Sequence, residues 1–307
     1  MRIVVTGGTG FIGREVVNRL LETGDDEIVV TTRAPQRAGR FRGRVELAQA
    51  FAGDALSLGR AFTGADVVVH AIQFPNHPVE DPARGRSYLE TDGRGTTVAA
   101  RVAKALGVRR FVYLSGAGAG QGRQQSWFRA KDMAEAAIRD TGMEHCLLRP
   151  SWIYGPGDRS MNRFVAFCRL LPFVPVIGDG RTRVDPIFVR DVARCAADAV
   201  RRDEAKNRAL ELGGPERLSM DEIIRTVQRV LGRRRAFWAR ALGQPLLHHP
   251  APLMKLLSRP MQLLPEPMLS PGAVDFILQE VEIDPRPAAE LFGAFRRLED
   301  GLREYLA

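Results

Sequence analysis

Cysteine is scarce in this sequence: of 307 residues only Cys146, Cys168 and Cys195 carry a thiol, and no C-x-x-C spacing occurs. Three isolated cysteines in apolar surroundings exclude a disulfide framework and point to buried, reduced thiols in a cytoplasmic chain. Long apolar runs are missing too. No stretch reaches ~18 uncharged apolar residues, so no spanning helix is expected. Met1-Arg2 leads straight into an apolar run without a charged leader and apolar core, which gives the expectation of a cytoplasmic protein, with peripheral contact to a membrane surface left open. The adjacent His248 and His249 face different sides of any strand or helix, so no metal site is expected. Cations exceed anions, 45 Lys+Arg against 36 Asp+Glu, for a net charge of +9. The excess arginine is scattered rather than interleaved with aromatics, which excludes nucleic acid and suits an anionic cofactor or membrane surface.

What is abundant is glycine at the N-terminus. Arg2 to Thr6 is a short β-branched run, Gly7-Gly8-Thr9-Gly10-Phe11-Ile12-Gly13 follows, and Val16, Val17, Leu20 and Leu21 then recur at helical spacing. The order is strand, tight turn, helix. Gly7, Gly10 and Gly13 let backbone approach a pyrophosphate that would sit on the helix N-terminus. A Walker-type loop would need Gly-Lys-Ser/Thr, and here Gly13 is followed by Arg14 and Glu15. With a second strand pattern at 28–32, the expectation is a dinucleotide in a doubly wound parallel sheet.

After that second strand stands Arg33. An acidic residue there would accept from a ribose 2′-OH; an arginine offers charge-assisted hydrogen bonds to a 2′-phosphate, so NADP(H) is expected over NAD(H), with Arg37 and Arg40 as possible helpers. Asp54 reads both as the cap of a short helix from Ala55 and as a neighbour of adenine. The run Ala65 to Ala71 is a buried parallel strand, and His70 reads as packed at its end. A long helix spans 86–106 and a strand 109–115. Ser115 with the glycines at 116, 118 and 120 then lies at a strand's carboxyl end, pointing at the nicotinamide. Helix 125–141 carries Lys131, and strand 144–149 runs into Pro150-Ser151-Trp152-Ile153-Tyr154.

The alternation stops there. Residues 1–150 are expected to form the nucleotide-binding domain, with 184–202 returning to it, and 151–307 a smaller, mostly helical substrate or partner lobe. A strand is expected at 209–215 and a capping box at Ser219 and Glu222. Residues 241–272 are dense in proline, leucine and methionine. They read as a helical lid or as apolar surface for a membrane, a hydrophobic small molecule or a protein partner.

Gly7 to Gly13, Gly53-Asp54, Arg109 to Ser115, Lys131 and Arg149-Pro150-Ser151 together resemble the short-chain dehydrogenase/reductase superfamily in its atypical and extended, epimerase/dehydratase-like branches. Leu-Ser-Gly-Ala-Gly-Ala at 114–119, Val189-Arg190-Asp191, and Leu264-Pro265-Glu266-Pro267 leading to Val274-Asp275-Phe276-Ile277 narrow the likeness to the complex I 39-kDa subunit group. The resemblance implies a Rossmann domain holding NADP(H) through Gly7, Thr9, Gly10, Phe11, Ile12 and Gly13 at the pyrophosphate and Arg33 at the 2′-phosphate. Asp54 and Ala55 would lie near adenine, Ala71 and Ile72 along the cofactor, and Pro150, Ser151 and Ile153 beside the nicotinamide.

The superfamily's active members use Tyr-x-x-x-Lys, the lysine holding the ribose and the phenol exchanging a proton with substrate. Here Lys131 matches and Trp127 stands at the tyrosine position; Asp92 also replaces the usual asparagine. An indole N–H donates a hydrogen bond but does not titrate near neutral pH. Three readings follow. The chain is an NADP(H)-binding protein, redox-silent or slow on a hydrophobic or quinone-related ligand; or an active oxidoreductase or sugar-nucleotide epimerase/dehydratase with another proton donor among Ser115, Tyr113, Tyr154 and water; or a sensor of NADP(H) redox state.

Overall fold

The computed structural model describes every residue except Asp25, Arg42, 76–78, Ala236, Leu242, 262–268 and Ala307, and the side chains of Arg37, Arg40, Arg233 and Met261. The resemblance motif at 264–267 therefore lies outside the described residues, as do the helper roles of Arg37 and Arg40.

Strands and helices alternate through the first half: β1 (Arg2–Thr6), α1 (Phe11–Thr23), β2 (Glu27–Thr32), β3 (Glu46–Gln49), α2 (Ala55–Phe62), β4 (Val67–His70), α3 (Gly95–Ala105), β5 (Arg110–Leu114), α4 (Ser126–Asp140) and β6 (Glu144–Pro150). The second half is β7 (Ile153–Tyr154), α5 (Ser160–Leu170), β8 (Val174–Ile177), β9 (Arg183–Val184), β10 (Ile187–Phe188), α6 (Val189–Ala199), β11 (Arg208–Leu212) and β12 (Leu218–Ser219). It continues with α7 (Met220–Leu231), α8 (Phe237–Ala241), β13 (Leu246–His249), α9 (Ala251–Met261), α10 (Pro271–Ile277), α11 (Arg286–Phe292) and α12 (Leu298–Leu306).

Seven strands form one parallel sheet in the order β11-β6-β5-β4-β1-β2-β3. Successive side chains on a strand face opposite ways, so helices on both sides demand apolar residues throughout. In β1, Ile3 and Val5 join Val16, Val17 and Leu20 of α1 and Ala196 of α6, while Val4 joins Leu58, Phe62 and Ala99 on the other face. The chain order reverses between β1 and β4, which makes that crevice the place where such sheets bind ligands.

The return to the sheet is longer than the expected 184–202. α6 packs beside α1 in the first core, and β11 also comes back, pairing with β6 from Arg208↔Cys146 to Leu212↔Pro150. Arg110, only 1% exposed, fastens this return: its guanidinium donates to the carbonyls of Ala199, Val200 and Arg202 and pairs with Asp203 and Glu144. A cation among the free carbonyls at the end of α6 satisfies them and complements the helix dipole.

The second lobe has its own core, in which α5, α7 and α12 pack around Tyr154, Val174 and Phe188. Ser219 and Glu222 form the capping box that starts α7. The three cysteines are buried and unpaired. Among the described residues no helix is long and apolar enough to cross a membrane.

Candidate cofactor site

The turn between β1 and α1 is backbone packed on backbone. Gly7 has φ +68°, and a Cβ there would stand 2.8 Å from the Ala71 carbonyl oxygen; a Cβ on Gly13 would run into the Gly7 carbonyl. Gly10 N–H donates to Gly7 O at 2.9 Å and closes the turn. Among the described residues no side chain caps α1, and no acid stands in its first turn, so its first N–H groups are left for a partner outside the sheet edge. Thr9 and Gly10 are exposed there, with Phe11 and Ile12 half-buried. This cradle, which any side chain at Gly7 or Gly13 would fill, fits a pyrophosphate.

Ala71 and Ile72, both half-buried, continue the wall past β4. Beneath it His70 is buried and bridges Thr6 Oγ1 at 2.8 Å and Thr96 Oγ1 at 3.2 Å. Burial, with the nearby Lys131 charge, pushes the imidazole down to about 3. His70 is thus a neutral strut, in keeping with its reading as a packed residue. Arg33 follows β2 and is exposed, its carbonyl accepting from Gln49 Nε2. Asp54 is the cap of α2, accepting from the N–H groups of Leu56 and Ser57, with Ala55 exposed beside it. The hydrogen bond with Ser57 leads the interactions that lower the Asp54 carboxyl.

At the other end Lys131 is 1% exposed, and its ammonium lies 2.8 Å from Asp92 Oδ1 and 3.4 Å from the Tyr113 hydroxyl. Burial alone would lower its pKa, yet the Asp92 carboxylate and Tyr113 outweigh that and hold the ammonium above the ordinary lysine range. Asp92 is carried on a π turn, Leu89–Arg94, ahead of α3, and its other oxygen accepts from Phe74 N–H at 2.8 Å. One carboxylate therefore ties Lys131 to the loop after β4. The substitution of asparagine by Asp92 was visible in the sequence; the ion pair across 39 positions was not.

Ser115 and Tyr154 are spoken for by the fold. Ser115 Oγ donates to Glu135 at 2.7 Å, and Glu135 also takes two hydrogen bonds from Arg149 and one from Arg139. Burial would raise that carboxyl, but the hydrogen bonds from Arg149 and Ser115 win and hold it below the usual carboxylate range. Tyr154 lies in the second-lobe core with its hydroxyl on the carbonyls of Arg297 and Leu298, and burial raises its phenol far above its ordinary value. Its place just past the strand end suggested a proton donor; the structure makes it a core residue because its ring is needed against Phe188.

Trp127 begins α4 and turns its ring over Gly116, where a Cβ would collide with the indole. The ring meets Phe128 edge-on at 4.7 Å and Phe276 of α10 at 5.5 Å, so a helix of the second lobe reaches the tyrosine position. Phe74, Tyr88 and Leu89 complete an apolar wall around it. Trp127 Nε1 is buried and has no hydrogen-bond partner among the described residues. Pro150 and Ser151 stand at the end of β6, where Pro150 O accepts from Ala117 N–H and Ser151 N–H donates to Leu212 O; Ile153 pairs with Ile187. The glycines of 116, 118 and 120, expected to point at the nicotinamide, leave room for the side chains of Trp127, Phe128 and Arg149.

A glycine cradle at a helix N-terminus, on the switch point of a seven-stranded parallel sheet, is the frame of a dinucleotide site, and a family model described as NAD(P)H-binding matches residues 7–203. The chain belongs to the NAD(P)H-binding family. Within the short-chain dehydrogenase/reductase-like fold, this family member is 27% identical over 279 residues to the mitochondrial NADH dehydrogenase [ubiquinone] 1 alpha subcomplex subunit 9 of Arabidopsis thaliana, covering 87% of this chain and 66% of that protein. It spans 59% of the mouse counterpart. It is 32% identical over 241 residues to the (4-alkanoyl-5-oxo-2,5-dihydrofuran-3-yl)methyl phosphate reductase of Streptomyces griseus, covering 75% of this chain and 74% of that one. In fold it resembles the triphenylmethane reductase of Citrobacter sp. complexed with NADP(H), with TM-score 0.73, 19% identity and coverage of 98% and 99%. The UDP-glucose 4-epimerase of Thermotoga maritima is as similar, with TM-score 0.74, 21% identity and coverage of 100% and 98%.

Proposed function

We propose that this NAD(P)H-binding protein prefers NADP(H), has lost the phenol proton relay of its superfamily, and carries out slow hydride transfer to a hydrophobic, electron-poor acceptor of the quinone kind. Trp127 ahead of Lys131 is the observation that carries this reading. All four tyrosines are engaged elsewhere or poor acids: Tyr113 lies under Lys131, Tyr154 and Tyr305 belong to the second lobe, and burial with the Asp92 and Glu80 charges raises the Tyr88 phenol well above its ordinary range.

The bound nicotinamide would supply the hydride. The chain's own residues bind and orient: the α1 N–H groups hold phosphate, Arg33 reads the 2′-phosphate, and Lys131 keeps a fixed positive charge. Trp127 Nε1 has a hydrogen bond to give, to an oxygen on cofactor or acceptor, and Phe74, Trp127 and Phe276 present apolar surface to the acceptor. Any proton then comes from solvent after the hydride, which suits acceptors whose reduced anion is stable and disfavours simple ketones.

Fluorescence titration with NADPH and NADH, and NADPH oxidation with and without a short-chain quinone, test the reading. Tighter NADPH binding that Arg33→Ala weakens at least tenfold, together with slow quinone-dependent oxidation, is the expected result. Equal affinities overturn the Arg33 assignment. Absence of any oxidation overturns the hydride transfer and leaves a redox-silent binder or a redox sensor, and tight UDP-sugar binding would favour the epimerase/dehydratase reading.

A further inference from the structure

One surface of the second lobe takes no part in the cofactor site. Between Glu222 and Glu266 the sequence contains no acidic residue, while Arg233, Arg234, Arg235, Arg240, Lys255 and Arg259 all fall inside that stretch. On the same stretch α8 leaves Phe237 74% and Trp238 50% exposed, and α9 exposes Leu253, Leu256 and Leu257. Positions 253, 256 and 257 share one face of a helix, the kind of stripe that a helix of a globular protein turns toward its core.

These pieces are linked by packing, strand pairing and chain adjacency. α8 packs on α5, whose end exposes Leu170, and Gln244 between α8 and β13 donates to the carbonyls of Phe167, Cys168 and Leu171 there. β13, with Leu247 exposed, pairs with β8, which starts directly after the exposed Phe173. α9 follows β13 after Pro250 alone. Lys255 shares its charge with Asp275 of α10, whereas Arg240 and Arg259 stand exposed beside the leucines and aromatics.

We propose that this patch seats the second lobe on an anionic lipid bilayer, with Phe237, Trp238, Leu256 and Leu257 at the acyl boundary and Arg240 and Arg259 at the headgroups. Charge chooses this occupant. The stretch carries no acid of its own, and the acids that reach it, Asp275 at Lys255 and Asp221 at His248, are each paired, so the arginines beside the apolar anchors draw this surface to a negatively charged interface. The inference stands apart from the proposed hydride chemistry and does not depend on it.

The full chain is mixed with vesicles of phosphatidylcholine alone and of equimolar phosphatidylcholine and phosphatidylserine, and followed by sedimentation and tryptophan emission. The expected result is binding to the anionic vesicles only, weakened by salt. A blue shift should accompany it and disappear in Trp238→Phe, and binding should fall at least tenfold in Arg240→Glu/Arg259→Glu and in Phe237→Ser/Trp238→Ser. NADPH titration of each variant reports an intact fold and judges the cofactor reading separately. Sedimentation with neither vesicle, or binding that these variants leave unchanged, overturns the proposal; in that case a protein partner takes the patch.

Discussion

At Gly13 the space of the missing side chain is filled by the Gly7 carbonyl, backbone against backbone, whereas at Gly116 it is filled by the Trp127 indole. Both loops follow a central strand and read alike as glycine-rich turns at a ligand edge. The first keeps its helix N-terminus uncapped and so retains hydrogen-bond donors for an outside anion. The second spends its glycines on the chain's own rings and guanidinium, and Ala117 and Ala119 are buried there. Glycine frequency alone does not tell the two loops apart; what fills the vacated space does.

The sharpest way to break this comparison is Gly13→Val. Its side chain has no place to go, because its obstacle is backbone, and NADPH affinity should fall at least a hundredfold by fluorescence titration with no second-site side-chain rescue. Beneath the second loop, Asp92→Ala strands the buried Lys131 ammonium and should cost about 3–5 kcal/mol in urea unfolding, with Asp92→Ala/Lys131→Met recovering much of it. Unfolding that is insensitive to Asp92→Ala would mean that the ammonium finds another partner. Gly116→Ala should cost about 1–3 kcal/mol through overpacking, and in a Trp127→Ala background most of that penalty should vanish. Equal penalties in both backgrounds would sink the idea that this glycine serves the indole.

A smaller effect separates the supports by pH. His70 under the first loop titrates at about 3 when folded against 6.5 in a model peptide, so below pH 6.5 the unfolded chain binds the extra proton. Its stabilisation is complete above 6.5 and declines as pH falls, by up to ~1.4 kcal/mol per unit. Urea midpoints at pH 7 and 5 should therefore converge in His70→Gln relative to the parent. Smallest of all, Tyr154→Phe should cost about 1 kcal/mol of stability and leave NADPH oxidation unchanged, since its hydroxyl donates to the backbone carbonyls of Arg297 and Leu298.

The sheet, the glycine cradle and the Asp54 cap were legible because each is written in a short local pattern of strand period, turn glycines or a capping side chain. The sites at 115, 131 and 154 were legible as positions but not as partners. Ser115 meets Glu135, and Lys131 meets Asp92, across 20 and 39 residues, and no periodicity encodes which carboxylate a buried cation will choose. Tyr154 followed a strand end, as a donor would, yet the packing of α12 decided its role. The late strand at β11 was readable as a strand, while its neighbour in the sheet was not, because pairing is fixed by the fold rather than by the segment.

That late strand bears on how the protein can be rebuilt. The sheet is completed only after the chain has left for the second lobe and come back through α6 and β11. A fragment ending near residue 150 would expose β6 as a raw edge and lose the helix beside α1, inviting strand-to-strand aggregation. Anyone grafting a different second lobe onto this scaffold would have to splice two separate segments, one before α6 and one after β11, and leave the Arg110 fastening between them untouched.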